Sequence, residues 1–184
     1  MRLFIAFELP EHVKEHLVCF MESLKTKVPR ARWVKKDELH ITAAFIGETD
    51  PDYVPIINEA MEEVSNTMPL VAIELAGIGA FPTMSRASVL WAGITNNTML
   101  IENVKTIRDQ LAHESPPINF DKKLFKPHIT LARFKSHENL STLGHIHMEP
   151  LACTLQELIL YETVWLYGGG HRYEKLSVFT LQKT

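Results

Sequence analysis

The chain has 184 residues, 46% of them hydrophobic and 22% charged, with a formal net charge of −3. That balance is the balance of a globular protein with an ordinary core, and it excludes a fibrous or disordered chain. Mild acidity also argues against a grip on long nucleic acid, which needs a basic excess, so any nucleic acid is expected to be touched at an end or over a few nucleotides.

In chain order, Leu3 to Glu8 reads as a buried strand. Its apolar run is too short for a secretory leader, and Glu8 and Pro10 end it. Pro10-Glu11 open a helix whose core face carries Val13, Leu17, Phe20, Leu24 and Val28, with Pro29 as its stop. Arg32 to Lys35 is a short strand, Glu38 to Phe45 a longer one, and Gly47 to Asp52 a turn. A second helix places Tyr53, Ile56, Ile57, Ala60, Met61 and Val64 on one face. Leu70 to Leu75 and Ile78 to Phe81 read as separate strands, followed by Val89 to Ile94 around Trp91. Leu100, Val104, Ile107 and Leu111 mark a third helix, and Pro116-Pro117 close that region. Phe125 to Phe134, Leu155 to Tyr161, Thr163 to Tyr167 and Lys175 to Leu181 complete the strands, with Gly168-Gly169-Gly170 as the tight link between the last two.

Strands that cluster between helices predict an α+β fold with mainly antiparallel sheets. No stretch reaches the length of a membrane span. The two cysteines, Cys19 and Cys153, form no CxxC and are expected as buried free thiols, which suits a reducing, cytoplasmic setting.

The tripeptide His-Ile-Thr occurs twice, at His40-Ile41-Thr42 and at His128-Ile129-Thr130. Residues i and i+2 share one face of a strand, so each copy aims one imidazole and one hydroxyl the same way. The repeat extends to Ala43-Ala44 against Leu131-Ala132, with Phe45 and Phe134 just beyond and an amphipathic helix upstream of each copy. Two such strands converging on one volume suit displacement at phosphorus. One oxygen there must lose a proton while the oxygen opposite gains one, and the non-bridging oxygens need donors. Two histidines and two threonines supply that set without a metal.

Other motifs are weaker. His145-Ile146-His147 has metal-ligand spacing but no companions and reads as a surface turn. No G-x-S-x-G occurs, and the triple glycine lacks the Lys-Ser/Thr of a phosphate loop. Strict alternation points Arg133 away from His128 and Thr130, so it reaches a phosphate only through a bulge or twist. Arg86, in the loop before the Trp91 strand, is a further candidate contact. Tyr161, Trp165, Tyr167 and Tyr173 are candidates to stack on a base.

With these residues in view, the chain resembles the 2H phosphoesterase superfamily, named for paired His-x-Thr motifs. Within it the chain is similar to the RNA 2′,3′-cyclic phosphodiesterases, also called 2′-5′ RNA ligases. The likeness runs from Arg2-Leu3-Phe4-Ile5-Ala6 through Trp33-Val34, Phe45-Ile46-Gly47-Glu48, Phe81-Pro82, Val89-Leu90-Trp91-Ala92-Gly93 and Pro127 to Arg133, to Leu160-Tyr161-Glu162 and Gly170 to Tyr173. The resemblance implies one bilobal domain over residues 1–184. Its two pseudo-symmetric lobes, each a mainly antiparallel sheet with helices outside, would flank a central cleft. It implies an enzyme with no metal and no cofactor, and a monomer is expected. The enzyme would open 2′,3′-cyclic phosphates on RNA ends, oligonucleotides or nucleotides to 2′-phosphomonoesters. His40 would protonate the leaving 3′-oxygen and His128 would take a proton from water. Thr42 and Thr130 would hold phosphate oxygens, and Arg133, Arg86 and Tyr161 would bind substrate. Reversible 2′-5′ ligation is the same chemistry with a 5′-hydroxyl in place of water. The alternatives are a phosphodiesterase for 2′-5′ oligonucleotides or a small cyclic-phosphate metabolite, and a nucleotide-binding protein without turnover. Where relatives carry a basic residue after the first motif this chain has Ala43-Ala44, and its 83–88 loop holds one arginine, which disfavours tight charge-based binding of RNA bodies.

Overall fold

Two antiparallel sheets carry the structure, a computed structural model that describes residues 1–95 and 97–182. The elements in order are β1 (Arg2–Glu8), α1 (Glu11–Leu24), β2 (Arg32–Trp33), β3 (His40–Glu48), α2 (Val54–Thr67), β4 (Val71–Phe81), β5 (Ala87–Thr95), α3 (Thr98–His113), β6 (His128–Glu138), β7 (Leu151–Leu155), β8 (Glu157–Trp165) and β9 (His171–Thr180). One sheet has the order β3-β1-β8-β9 and the other β2-β6-β5-β4-β7. The α+β architecture is as expected, but the lobes are not consecutive halves of the chain. The C-terminal hairpin β8–β9 returns to pair with β1, and β2 crosses over to pair with β6.

Alternation on β1 shows how the layers form. Leu3, Ile5 and Phe7 are fully buried on the side that packs against the helices. Phe4 and Ala6 face the other way, onto an aromatic cluster with Tyr161, Phe45 and Tyr173. Each large side chain buried in this way contributes about 1.5–3 kcal/mol relative to exposure. On α1, Val13, Leu17, Met21 and Leu24 make the buried stripe. Phe20 is half-buried, Met21 takes the core position, and Val28 is buried beyond the helix end.

Several readings change. Cys19 is exposed, because it lies two residues after Leu17 and so on the opposite side of the helix; only Cys153 is buried, and burial pushes its thiol up to about 11. β4 is one strand through a register shift between Leu75 and Ile78, where Gly77 takes φ +68°. β8 is likewise continuous across Glu162-Thr163, and β3 runs on through Gly47 to Glu48. β7, not foreseen, pairs with β4. Among the described residues no helix is long and apolar enough to cross a membrane.

Candidate active site

The two His-x-Thr strands are not hydrogen-bonded neighbours. β3 is an edge of the first sheet and β6 lies inside the second, and the sheets bring their copies together across a cleft. His40, Thr42, His128 and Thr130 all line one chamber of about 570 Å3.

The two copies share the anchoring of their rings and the bulge that follows them. The Nδ1–H of His40 donates to the Glu38 carbonyl at 2.6 Å, and that of His128 to the Lys126 carbonyl at 2.6 Å. A carbonyl can only accept, so both neutral rings hold their proton on Nδ1 and present Nε2 as the basic nitrogen. The Thr42 hydroxyl donates to the Nε2 of His40 at 3.0 Å. Each strand also carries a β-bulge at the residue after its threonine. Ala6 pairs with Thr42 and Ile5 with Ala44, skipping Ala43. Trp91 pairs with Thr130 and Leu90 with Ala132, skipping Leu131. Both skipped residues have carbonyls served from outside their own ladder: the Nε–H of Arg108 donates to the Ala43 carbonyl at 2.9 Å, and the Val34 N–H to the Leu131 carbonyl at 2.9 Å.

The second bulge decides the place of Arg133. It flips the alternation so that Leu131 and Ala132 are both buried and Arg133 joins the cleft wall. Strict alternation fails there. Arg86 is not brought to the quartet: it is exposed at the end of a short helical turn (Met84–Arg86) and is not part of the cleft lining. Tyr161 is covered rather than open to a base. It is 3% exposed, stacks on Phe4 at 5.1 Å, and gives its hydroxyl to Glu8 Oε2 at 2.5 Å. Trp165 and Tyr173 line the cleft, whereas Tyr167 is fully exposed beyond it. His145 and His147 are exposed on a loop, in keeping with a surface turn.

Each histidine sits in an aromatic collar. Phe4 lies 5.0 Å from His40 and Tyr173 5.4 Å from it, edge-on. Phe81 meets His128 edge-on at 4.9 Å, with Trp91 at 6.4 Å. The Trp91 indole fills the space over Gly79, where an added Cβ would come within 2.2 Å of the ring. Burial pushes His40 down to about 4, against the pull of the Glu38 carbonyl, with Arg133 adding to the fall and Glu8 opposing it. Burial lowers His128 as well, with Arg133 again adding.

Glu8 breaks the symmetry. It is the strand partner of His40 on β1, where His128 has Gly93 opposite it. Its carboxylate is nearly enclosed and binds Lys14, itself buried, together with Tyr161 and Lys175, the last at 3.2 Å. Burial pushes the Glu8 carboxyl up, but these partners outweigh it and hold it below the usual carboxylate range.

A second chamber, of about 450 Å3, opens beside Thr42 and His128. Phe45, Phe81 and Phe125 form its apolar walls, with Lys126 5.8 Å from the Phe81 ring and the Arg108 guanidinium 5.8 Å from Phe125. The sequence analysis singles out Thr42, His128, Phe45 and Phe81 for their motifs, but nothing in the sequence marked them as walls of a second chamber. Nor did the sequence carry a signal for Glu8, or for Arg32 and Lys35 on the cleft wall. Among the described residues no three His, Cys, Asp or Glu side chains gather as metal ligands.

With this geometry in place, comparison with known proteins is informative. A family model described as LigT like Phosphoesterase matches residues 7–91. An RNA 2′,3′-cyclic phosphodiesterase of Methanocaldococcus jannaschii is 35% identical over 147 residues, covering 78% of this chain and 77% of that protein. One of Thermotoga maritima is 31% identical over 165 residues, covering 89% and 87%. Among solved structures, TT0787 of Thermus thermophilus superposes with a TM-score of 0.80 at 26% identity over 100% of this chain and 99% of its own. LigT of E. coli, complexed with 3′-AMP, gives 0.77 at 25% identity over 99% and 98%.

Proposed function

The chain belongs to the LigT-like phosphoesterases, and from that premise we propose that it hydrolyses the 2′,3′-cyclic phosphodiester of RNA or nucleotide ends to a 2′-phosphomonoester. The observation that carries this reading is the pair of imidazoles lining one cleft. Each is tied through Nδ1 to the carbonyl two residues before it, and each keeps a basic Nε2 for the reaction.

In the proposed step, water attacks phosphorus opposite the 3′-oxygen. The Nε2 of His128 takes the water proton as the new P–O bond forms. The P–O3′ bond breaks, and His40, protonated at Nε2, gives its proton to the 3′-oxygen. Phosphorus keeps its bond to the 2′-oxygen, and the two histidines return to their starting states by exchange with solvent. Thr42, Thr130 and the Arg133 guanidinium donate to the phosphate oxygens as charge gathers there. Glu8 behind His40 supports the assignment of His40 as the acid, because a carboxylate favours the imidazolium. An anionic phosphate in the cleft acts in the same direction. No step calls on a metal or a cofactor. The cleft draws His40 from one sheet and His128 from the other, so the whole chain is proposed to work as one unit.

A second reading rests on the phenylalanine chamber. It opens on the His128 side and has room for a nucleoside. A ribose 5′-hydroxyl delivered from there replaces water as the attacking group and yields a 2′-5′ linkage; the reverse reaction cleaves one.

Product analysis of 2′,3′-cyclic AMP in EDTA tests the first reading. Expected is a 2′-phosphate product, with His40→Ala and His128→Ala each lowering kcat by about 10²–10⁴-fold. Activity lost on chelation, or retained in either variant, overturns it. Saturable binding without turnover leaves a nucleotide-binding protein. Adding an oligonucleotide with a free 5′-hydroxyl and looking for a 2′-5′-joined product tests the second.

A further inference from the structure

The β8–β9 hairpin ends in a feature that hydrolysis of a terminal phosphate does not use. Trp165, Leu166 and Tyr167 are consecutive and exposed, Trp165 at 63% and Tyr167 fully. We propose that this tip is a stacking platform for unpaired RNA bases next to the reacting end, so that the protein engages an oligonucleotide through Trp165 and Tyr167 as well as through its phosphate. The proposal rests on the cyclic-phosphodiesterase reading and extends it to the RNA body.

The tip is continuous with the cleft. Trp165, Leu166, Gly169 and Gly170 line the same chamber as His40 and His128. The Trp165 ring is held in place before any ligand arrives. It closes β8 opposite His171, meets that ring edge-on at 5.8 Å, and has the Arg2 guanidinium 5.9 Å from its centroid. A ring already ordered loses little freedom on stacking, and its remaining surface is open. The turn beyond it is narrow and bare. Leu166 N–H donates to the Gly170 carbonyl at 3.2 Å and Gly169 N–H to the Leu166 carbonyl at 3.0 Å. Gly168, Gly169 and Gly170 all take positive φ, and nothing lies within 4 Å of where a Cβ would stand. The three glycines themselves put no side chain in the way of a strand leaving the cleft.

Reach decides which nucleotide is concerned. Trp165 lies four steps along β8 from Tyr161, which packs against His40 at 6.0 Å, a rise of about 13 Å. Trp165 is therefore placed for the neighbour of the nucleotide that carries the reacting phosphate. Arg32, Lys35 and Arg133 on the cleft wall offer charge for the intervening backbone. With so few cations and a net charge of −3, stacking carries this contact and its salt dependence is shallow.

The test compares kcat/KM on 2′,3′-cyclic AMP and on a five-nucleotide RNA with the same cyclic end, in EDTA, for the wild type, Trp165→Ala, Tyr167→Ala and the double variant. The ratio of pentanucleotide to mononucleotide kcat/KM is expected to fall at least about fivefold per ring removed. Equal losses on both substrates would assign the rings to the reacting nucleoside, and no loss on either would assign the tip to something other than RNA; each overturns the proposal. Wild-type turnover of the mononucleotide reports separately on the underlying reading. Should it be absent, fluorescence anisotropy with a 5′-labelled pentanucleotide ending in a 2′-phosphate compares wild type and double variant directly. Weaker binding by the double variant supports the platform, and equal binding overturns it.

Discussion

The acid role proposed for His40 asks a ring buried among aromatic side chains to carry a proton, and Glu8 is the group that eases this. The charged and titratable groups around His40 are Glu8 on β1, His128 and Arg133 on β6, Tyr161 on β8, Lys175, Tyr173 and His171 on β9, and Glu38 just before its own strand. In the free protein His40 titrates at about 4 and His128 below its ordinary 6.5. The pH profile of kcat/KM reports the free enzyme's acid and base, so both flanks of the bell are expected below pH 6.5. The kcat profile is expected at higher pH, because bound phosphate stabilises the imidazolium. Glu8→Gln removes the carboxylate but leaves Lys14 and Lys175, so the His40 flank is expected to move lower while the His128 flank stays. The same variant also loses stability, since buried Lys14 is left without its counter-charge. NMR titration of the two imidazoles separates these effects; an unmoved His40 would reduce Glu8 to an architectural ion pair. At this scale the meeting of the two His-x-Thr pairs in one cleft was legible in the sequence, because two identical tripeptides at i, i+2 spacing need only strand geometry to be read. Glu8 was not, because its meeting with His40 depends on the pairing of β1 with β3, and nothing in the tripeptide encodes that.

Among the elements, the paired bulges matter most. Each follows its threonine by one residue, and each leaves a ladder carbonyl to be satisfied from elsewhere, by Arg108 on β3 and by the Val34 N–H on β6. Arg108 also donates from Nη1 to the Lys123 carbonyl at 2.8 Å, so one side chain ties α3, the β3 bulge and the segment before β6 together. Arg108→Met keeps the apolar stem and removes both donors. The bulge carbonyl of Ala43 is then unpaired, and Thr42 and His40 lose their fixed aim. Because misplacement by about 1 Å costs up to 10²-fold, kcat is expected to fall tenfold or more, with a smaller change in KM. Steady-state kinetics beside a thermal melt check this: a lower Tm with unaltered kcat would make Arg108 a stability residue only. The bulges also explain where the sequence reading stopped. Helical spacing placed α1, α2 and α3 well, since their apolar stripes are local. The aim of Arg133 depends on which residue of β6 is skipped against β5, a contact between segments about forty residues apart in the chain. β4 looked like two strands because Gly77 breaks its pattern at the shift. Tyr161 follows the alternation that faces the cleft, but Phe4 and Glu8 cover it.

At the scale of the whole molecule, the site is a source of stability that acid removes. A histidine whose folded pKa lies below its unfolded value binds its proton more readily in the unfolded chain. Its contribution to stability is therefore fully present above pH 6.5 and lost as pH falls toward the folded value, which for His40 is about 4. His128 shifts in the same direction and adds to the loss. The held-down Glu8 carboxyl contributes its own loss, but only as pH falls below the ordinary carboxylate value of 4.5. Between pH 6.5 and 4.5 the histidines act without it. A Tm that declines through this interval is expected for the wild type, and a flatter curve for His40→Ala, even if that variant melts lower at pH 7 because it leaves a cavity among Phe4, Tyr161 and Tyr173. Parallel curves for the two proteins would mean that His40 is hydrated enough to titrate normally. Adding 2′-AMP, the product of the proposed reaction, is expected to raise Tm more at pH 5.5 than at pH 8. On the proposed mechanism the phosphate binds best to protonated His40, a form that burial disfavours in the free protein, so the burial that costs acid stability is what would tie the acid form of His40 to bound phosphate.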